Sequence, residues 1–245
     1  MTASDWVAGV DGCPGGWLVV LRRVGDAATA RAYLLRRFAD VLALTQAPHL
    51  ITVDMPIGLP ERAGLGGRTC DVAARAMLGQ RQSAVFAVPA RAAVMETEYR
   101  AACQAAFAAS DPPRMVAKQT FNLFPKIREI DLLMTPELQE RVRECHPELA
   151  FWALNGERAL DLPKKVKSRP FADGLDLRRA LLAAAGYDRA FLAAAPFRAA
   201  DAGPDDLLDA AACAWSAARI HPGQGKCFPS APPIDRRGLR MEIWC

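Results

Sequence analysis

The chain has 245 residues, of which 51% are hydrophobic and 24% charged, and its formal net charge is +4. This composition excludes a disordered chain, and the length allows one large domain with its own apolar core. The sequence has no apolar run of the roughly 18 residues that a membrane span needs and no signal-peptide pattern, so we expect a cytoplasmic protein without a membrane partner.

The first part of the chain predicts three strands, a short helix and a fourth strand. The strands are expected over 6–11, 17–22, 31–38 and 50–55, and the helix over 39–46. A glycine turn ends the first strand, and Pro56 ends the fourth. This order favours an antiparallel meander that joins a further strand in a mixed sheet.

The remainder of the chain is mainly helical. Helices are expected over 70–78, 96–109, 175–185 and 204–220, a fifth strand over 142–146, and an edge strand over 239–244. Pro147 is expected to end the fifth strand, ahead of a basic loop over 163–170. We interpret about 62–140 as a mainly helical insertion after the fourth strand. The whole chain, 1–245, then forms one α/β domain with a mixed five-stranded sheet flanked by helices.

Asp11 and Asp54 are the first candidate site residues, because each ends a hydrophobic strand. The carboxyl ends of strands in an open α/β sheet are where such folds place their sites. Either acid alone is equally well explained as a turn residue, since aspartate is common in turns. Two acids at the ends of strands that we expect to be neighbours favour a functional role.

A second pair of acids opens the last long helix. Asp205 is explained by the helix dipole, which favours acids in a first turn. Asp206 and Asp209 lie three residues apart on one helical face, and the alanines beside them allow the helix to press closely on a sheet. Carboxylates gathered in this way suit Mg²⁺ or Mn²⁺, because these hard cations prefer oxygen ligands.

Two glutamates flank His146 where the predicted fifth strand ends. Either Glu144 or Glu148 could add a metal ligand or a proton-transfer group. His146 itself is expected to be structural. We take Glu144 as the secondary catalytic candidate.

Four basic residues are candidates for contacts with phosphate groups. Lys164 and Lys165 belong to the basic loop, for which a solvated surface is the default interpretation. Arg75 and Arg81 lie in the helical insertion, in a polar stretch that could line a cleft. With a net charge of only +4, the chain permits a nucleic-acid partner without requiring one.

Several motifs together resemble a known bacterial family. They are the segments 9–17, 53–60, 68–75, 85–91, 144–148 and 206–210. The family is the domain of unknown function 429 (DUF429), described as predicted nucleases of the ribonuclease H fold. In the wider ribonuclease H-like superfamily, Holliday-junction resolvases are similar in layout, and their acid positions match Asp11, Asp54, Asp206 and Asp209. The resemblance implies a ribonuclease H-like sheet, a two-metal site and, by association, a possible homodimer.

We therefore hypothesise metal-dependent hydrolysis of nucleic-acid phosphodiester bonds, in which two metals hold the attacking and leaving oxygens. Two alternatives stay open. A non-catalytic nucleic-acid or protein-binding module could retain the acids as a vestigial site. An ATP-dependent phosphotransferase could use the Asp11-Gly12 turn to hold phosphates, although such enzymes normally need two cores of this kind and we predict one.

Overall fold

The computed structural model describes residues 5–167 and 169–245, and its centre is a five-stranded sheet with the order β3-β2-β1-β4-β5. The strands are β1 (Trp6–Cys13), β2 (Gly16–Arg23), β3 (Arg31–Leu35), β4 (Leu50–Val53) and β5 (Val142–Glu144). β1 pairs antiparallel with β2 and parallel with β4, while β2–β3 is antiparallel and β4–β5 parallel. The predicted α/β fold with a mixed five-stranded sheet is confirmed, and it is consistent with a ribonuclease H-like arrangement.

The α-helices and the short strands outside this sheet complete the described structure. The helices are α1 (Phe38–Leu42), α2 (Thr69–Met77), α3 (Arg91–Met95), α4 (Tyr99–Ala108), α5 (Lys118–Phe121), α6 (Phe124–Leu133), α7 (Pro136–Gln139), α8 (Pro147–Leu154), α9 (Ala172–Ala184), α10 (Arg189–Ala193) and α11 (Pro204–Ile220). Two short antiparallel pairs are β6 (Lys165–Val166) with β7 (Arg169–Pro170) and β8 (Cys227–Phe228) with β9 (Ile243–Trp244). None of the helices described is long and apolar enough to cross a bilayer.

The structure departs from the predicted elements at several places, among them Pro147, the C-terminal edge strand and the basic loop. Pro147 does not merely end a strand but begins α8, because a proline in a first helical turn lacks only an N–H that would have no partner there. The edge strand expected over 239–244 shortens to β9, which pairs with β8 and only touches the main sheet through a Cys145–Trp244 bridge. The predicted basic loop contains the β6–β7 pair, and its Ser168 lies outside the described residues.

Helices cover both faces of the sheet. One face packs against α1, α3, α4 and α6, and the other against α8, α9, α10 and α11. Helices α2 to α7 all lie between β4 and β5 in the chain, where a mainly helical segment is predicted. On the second face α11 approaches the backbone of β1 at Gly9, where no side chain separates the two elements.

We expect Gly9→Ala to destabilise the fold strongly. A Cβ atom at this position would lie 2.0 Å from the Ala214 backbone nitrogen and 2.2 Å from the Ala210 carbonyl oxygen. The free energy of unfolding, measured by urea denaturation, should fall by about 3 kcal/mol. Gly25→Ala is the matched control, since an added Cβ there meets nothing within 4 Å. Equal stabilities of the two variants would contradict the close packing of α11 on β1.

Candidate functional site

Asp11 and Asp54 lie beside each other at the ends of two parallel strands. Val10 of β1 is the register partner of Val53 in β4, and the Asp54 backbone N–H donates to the Val10 carbonyl oxygen at 2.9 Å. Side chains alternate along a strand, so Asp11 points to the same face as Gly9, which α11 covers. The two strands are neighbours, as predicted.

Helix α11 brings the second pair of acids to the same edge of the sheet. Its first turn contains Asp205 and Asp206, and Asp209 follows on the next turn. The Asp206 carboxylate accepts a hydrogen bond from the Gly203 backbone N–H at 2.7 Å and so caps the helix N-terminus. Asp209 is buried. Both Asp206 and Asp209 lie close enough to Asp11 for their negative charges to raise its pKa.

Burial raises the pKa values of the four predicted aspartates, which we call the acid cluster, and repulsion between its members adds to the shifts of Asp11 and Asp209. The pKa of Asp11 lies well above its usual range because the carboxyl is buried and because Asp209 and Asp54 add negative charge nearby. Burial raises the pKa of Asp209 to about 6, although the ammonium group of Lys164 opposes the shift. Burial also raises the pKa values of Asp54 and Asp206. Carboxylates held this close without a cation disfavour their own ionised form.

Two lysines lie against these acids. Lys164 forms an ion pair with Asp209, and its Nζ is 4.0 Å from the Asp205 carboxylate. Lys165 Nζ pairs with Asp205 at 2.6 Å. Asp205 is buried, so the acid that the helix dipole explains in the sequence is also a partner of both lysines. Contacts of Lys164 and Lys165 with phosphate would compete with these internal ion pairs.

Lys126 on α6 is a further residue of this region, and no pattern in the sequence marks it. Its Nζ donates to the Gly16 carbonyl oxygen at 2.5 Å and lies 4.5 Å from the ring centroid of Trp17. Burial lowers the pKa of Lys126, while the nearby charges of Asp11 and Asp206 act in the opposite direction. The acid cluster therefore has a third lysine beside it, which comes from the helical segment between β4 and β5.

The acid cluster has the donor chemistry for a hard divalent cation, and a lysine lies against it. Within residues 5–167 and 169–245, no three His, Cys, Asp or Glu side chains are grouped so as to hold a metal ion. The Lys164 ammonium contacts Asp209 and offsets part of the repulsion between the carboxylates. Oxygen ligands of this kind suit Mg²⁺ or Mn²⁺, but in the described residues the arrangement of these side chains does not fit a metal ion.

Glu144 lies in a buried network with Arg68, and both line one small cavity together with Asp54. Its Oε1 and Oε2 accept from Arg68 at 2.6 and 2.8 Å, and Oε2 also accepts from the Ile57 backbone N–H at 2.7 Å. Arg68 pairs in turn with Asp71 at 2.7 Å. Burial raises the pKa of Glu144 to about 7, and Arg68 opposes that shift. This network joins the end of β5 to the loop that follows β4.

The two arginines predicted to contact phosphate, Arg75 and Arg81, already have partners within the protein. Arg75 Nε donates to the Val85 carbonyl oxygen at 2.9 Å, and its Nη2 donates to the carbonyl oxygen of Gly66. Arg81 pairs with Glu148 at 3.5 Å. Contacts of these arginines with a substrate stay a prediction.

The fold and the site define an α/β protein with buried carboxylates gathered where two neighbouring parallel strands end. A comparison with protein-family models matches residues 9–234 to a family described as "Protein of unknown function (DUF429)". Because the match covers most of the 245 residues, the chain belongs to this family, as its motifs predict. No curated protein and no solved structure matches the chain.

We expect Arg68→Met to destabilise the protein by about 4 kcal/mol, because Glu144 and Asp71 would remain buried without their cationic partner. Urea denaturation measures the change. The control is Arg37→Met, since the Arg37 side chain is 74% exposed in its pair with Asp40 and such surface pairs add little stability. A variant at Arg68 as stable as this control would refute the structural role of the network.

We expect Asp11→Asn to stabilise the metal-free protein at neutral pH, because it removes one of several repelling buried charges. The pKa of Asp11 is raised in the folded state, so the stability that its protonated form contributes is complete below the ordinary aspartate pKa of 3.8 and is lost as the pH rises through the raised pKa. The advantage of the variant should therefore grow as the pH increases from about 4 upward.

Urea denaturation at a series of pH values measures this advantage. Asp176→Asn is the control, because the Asp176 side chain is 68% exposed and its replacement should give no such gain. A variant at Asp11 that is less stable than the wild type at every pH would show that the acids do not repel one another.

Proposed function

We propose that this protein is a metal-dependent nuclease of the ribonuclease H-like superfamily, which hydrolyses nucleic-acid phosphodiester bonds. The observation that supports the proposal is the placement of Asp11 and Asp54 at the ends of two paired parallel strands, beside the acids of the first turns of α11. Strongly perturbed carboxyl groups that lower the stability of a fold are typical of functional sites. A divalent cation would reduce the repulsion between these acids.

The proposal requires Mg²⁺ or Mn²⁺, held by the acid cluster. When bound, the metal activates a water molecule and offsets the charge of the leaving oxygen. Asp209 pairs with Lys164 in the structure, so a cation held by Asp209 would replace the Lys164 ammonium group as its partner. Lys164 and Lys165 would then be available for phosphate groups of the nucleic acid.

Other residues have supporting roles in this proposal. Glu144 is the register partner of Val53, the residue before Asp54, so its network with Arg68 holds the end of β4 in place. Arg81 is partly exposed beside Glu148 and could contact a phosphate group in addition to Lys164 and Lys165. Arg75 is more firmly engaged with backbone carbonyl groups.

The test is a hydrolysis assay on single-stranded, double-stranded and branched DNA and RNA, with Mn²⁺ or Mg²⁺ and with EDTA. We expect metal-dependent cleavage by the wild type and a loss of about 100-fold or more in Asp11→Asn and Asp54→Asn. Asp176→Asn, which removes an exposed acid on α9, should cleave like the wild type. Unfolding curves of the same samples show whether a loss of activity reflects a loss of structure.

Three outcomes would count against the proposal. An Asp11→Asn variant that cleaves at the wild-type rate would show that the acid cluster takes no part in the reaction. Binding of nucleic acid in EDTA without cleavage under any condition would favour the non-catalytic binding module. Thermal stabilisation by ATP would favour the phosphotransferase.

A further inference from the structure

A cavity of about 360 Å³ lies within the helical segment between β4 and β5. Its walls come from the glycine-rich loop over 64–67, the segment 86–89, the end of α4 and residues between 114 and 120. Cavities of about 300 to 1,000 Å³ with mainly apolar walls are typical of sites for small organic groups. The cavity therefore has the size of a ligand site.

The cavity lies next to the end of β4. Phe86 and Val88 line it, and the same two residues also line the small cavity that contains Asp54. The Val88 backbone N–H donates to the Asp71 carboxylate at 3.0 Å, which fixes this segment against the buried network of Glu144. A ligand in the larger cavity would thus contact the residues that border Asp54.

The walls of the cavity suit a flat ring. Gly66 and Gly67 have φ angles of 92° and 90°, a left-handed conformation that glycine favours. A Cβ atom on Gly67 would lie 2.7 Å from the Val88 backbone nitrogen and 2.9 Å from Ala87 Cα. The glycines therefore contribute only backbone to the wall, and Phe86 adds an aromatic side chain. A planar aromatic ligand can approach such surfaces closely and stack on them.

Hydrogen bonds within the protein hold these walls in place. Arg75 donates to the carbonyl oxygen of Gly66 and, at 2.9 Å, to that of Val85. Arg62 Nη2 donates to the Ser110 carbonyl oxygen at 3.3 Å. The cavity is thus largely formed before a ligand enters, as small-ligand sites usually are.

The polar groups of the lining match a base that carries a phosphate. Arg114 lines the cavity and is exposed, and none of the described lining residues is acidic. This charge suits an anionic ligand. Gln119 and Thr120 add an amide and a hydroxyl, which can both donate and accept hydrogen bonds, as the edges of nucleobases do. Met115, which is 72% exposed, adds a flexible apolar side chain.

We propose that this cavity binds one unstacked base of the nucleic-acid strand whose phosphodiester lies at the acid cluster. The inference rests on the proposed function, because cleavage at the acid cluster would bring the bases that flank the cleaved bond close to Asp54. A base can enter an apolar cavity only if it is unpaired or leaves its stack. The substrate class is therefore a strand with an unpaired base near the cleaved bond.

The test is the affinity for a short fluorescent single-stranded DNA, measured by anisotropy in EDTA so that no metal-dependent cleavage occurs. Ala117→Leu enlarges an exposed residue of the lining with a side chain that offers no aromatic face. The affinity should fall by about 10-fold, since stacking of one base contributes on this order. Ala108→Leu is the matched control, an exposed alanine on α4 outside the described lining, and should bind like the wild type.

Two further measurements separate a bound base from a purely structural effect. The difference between Ala117→Leu and the wild type should vanish for DNA of the same length that has no bases. Arg114→Gln should lower the slope of log affinity against log salt by about 0.7, as expected for one lost phosphate contact on a single strand. Arg100→Gln, at an exposed arginine on α4 outside the described lining, should keep the slope.

The outcomes separate this inference from the proposed function. Metal-dependent cleavage with equal DNA affinity in Ala117→Leu and Ala108→Leu would overturn the base-binding cavity alone, as would an equal loss of affinity for DNA without bases. Base-dependent binding without cleavage under any condition would overturn the nuclease and retain the cavity. No binding of DNA by the wild type would overturn the inference. If Ala117→Leu does not fold, the salt dependence of Arg114→Gln decides, and an unchanged slope overturns the inference.

Discussion

Helix α11 packs on β1 with no side chain between the two backbones at Gly9, and the geometry of the site depends on this contact. The gap is so small that the backbone of α11 would overlap any Cβ atom placed there. A helix at this distance carries Asp206 and Asp209 on its first turns to the end of β1, where Asp11 lies. A bulkier residue on β1 would move the helix and separate the two pairs of acids.

The electrostatics of the site oppose the stability of the fold. Burial alone disfavours the ionised form of each aspartate, and the proximity of Asp11, Asp54 and Asp209 adds repulsion. Lys164 and Lys165 offset part of this cost through ion pairs with acids of α11. The proposed cation would act on the same repulsion, so metal binding and the release of Lys164 would be linked.

Two buried arginines bind the glutamates at the end of β5 and the start of α8. Arg68 occupies both oxygens of Glu144 and makes that glutamate a structural link between β5 and the loop after β4. Arg178 occupies one oxygen of Glu148 and leaves the second without a partner in the described part of the chain. His146, between them, caps α8.

The sequence by itself determined the strands, the long helices and the two pairs of aspartates, because these follow from local periodicity, turn residues and spacing along one helix. It predicted Pro147 only as the end of a strand, since proline ends a strand and begins a helix equally well. Only the tertiary structure decided that Lys126 and Lys164 lie beside the acids. It alone also decided that both oxygens of Glu144 accept hydrogen bonds, whereas one oxygen of Glu148 has no partner among the described residues. These properties depend on partners from segments remote in the chain, and no local pattern records which remote segments meet.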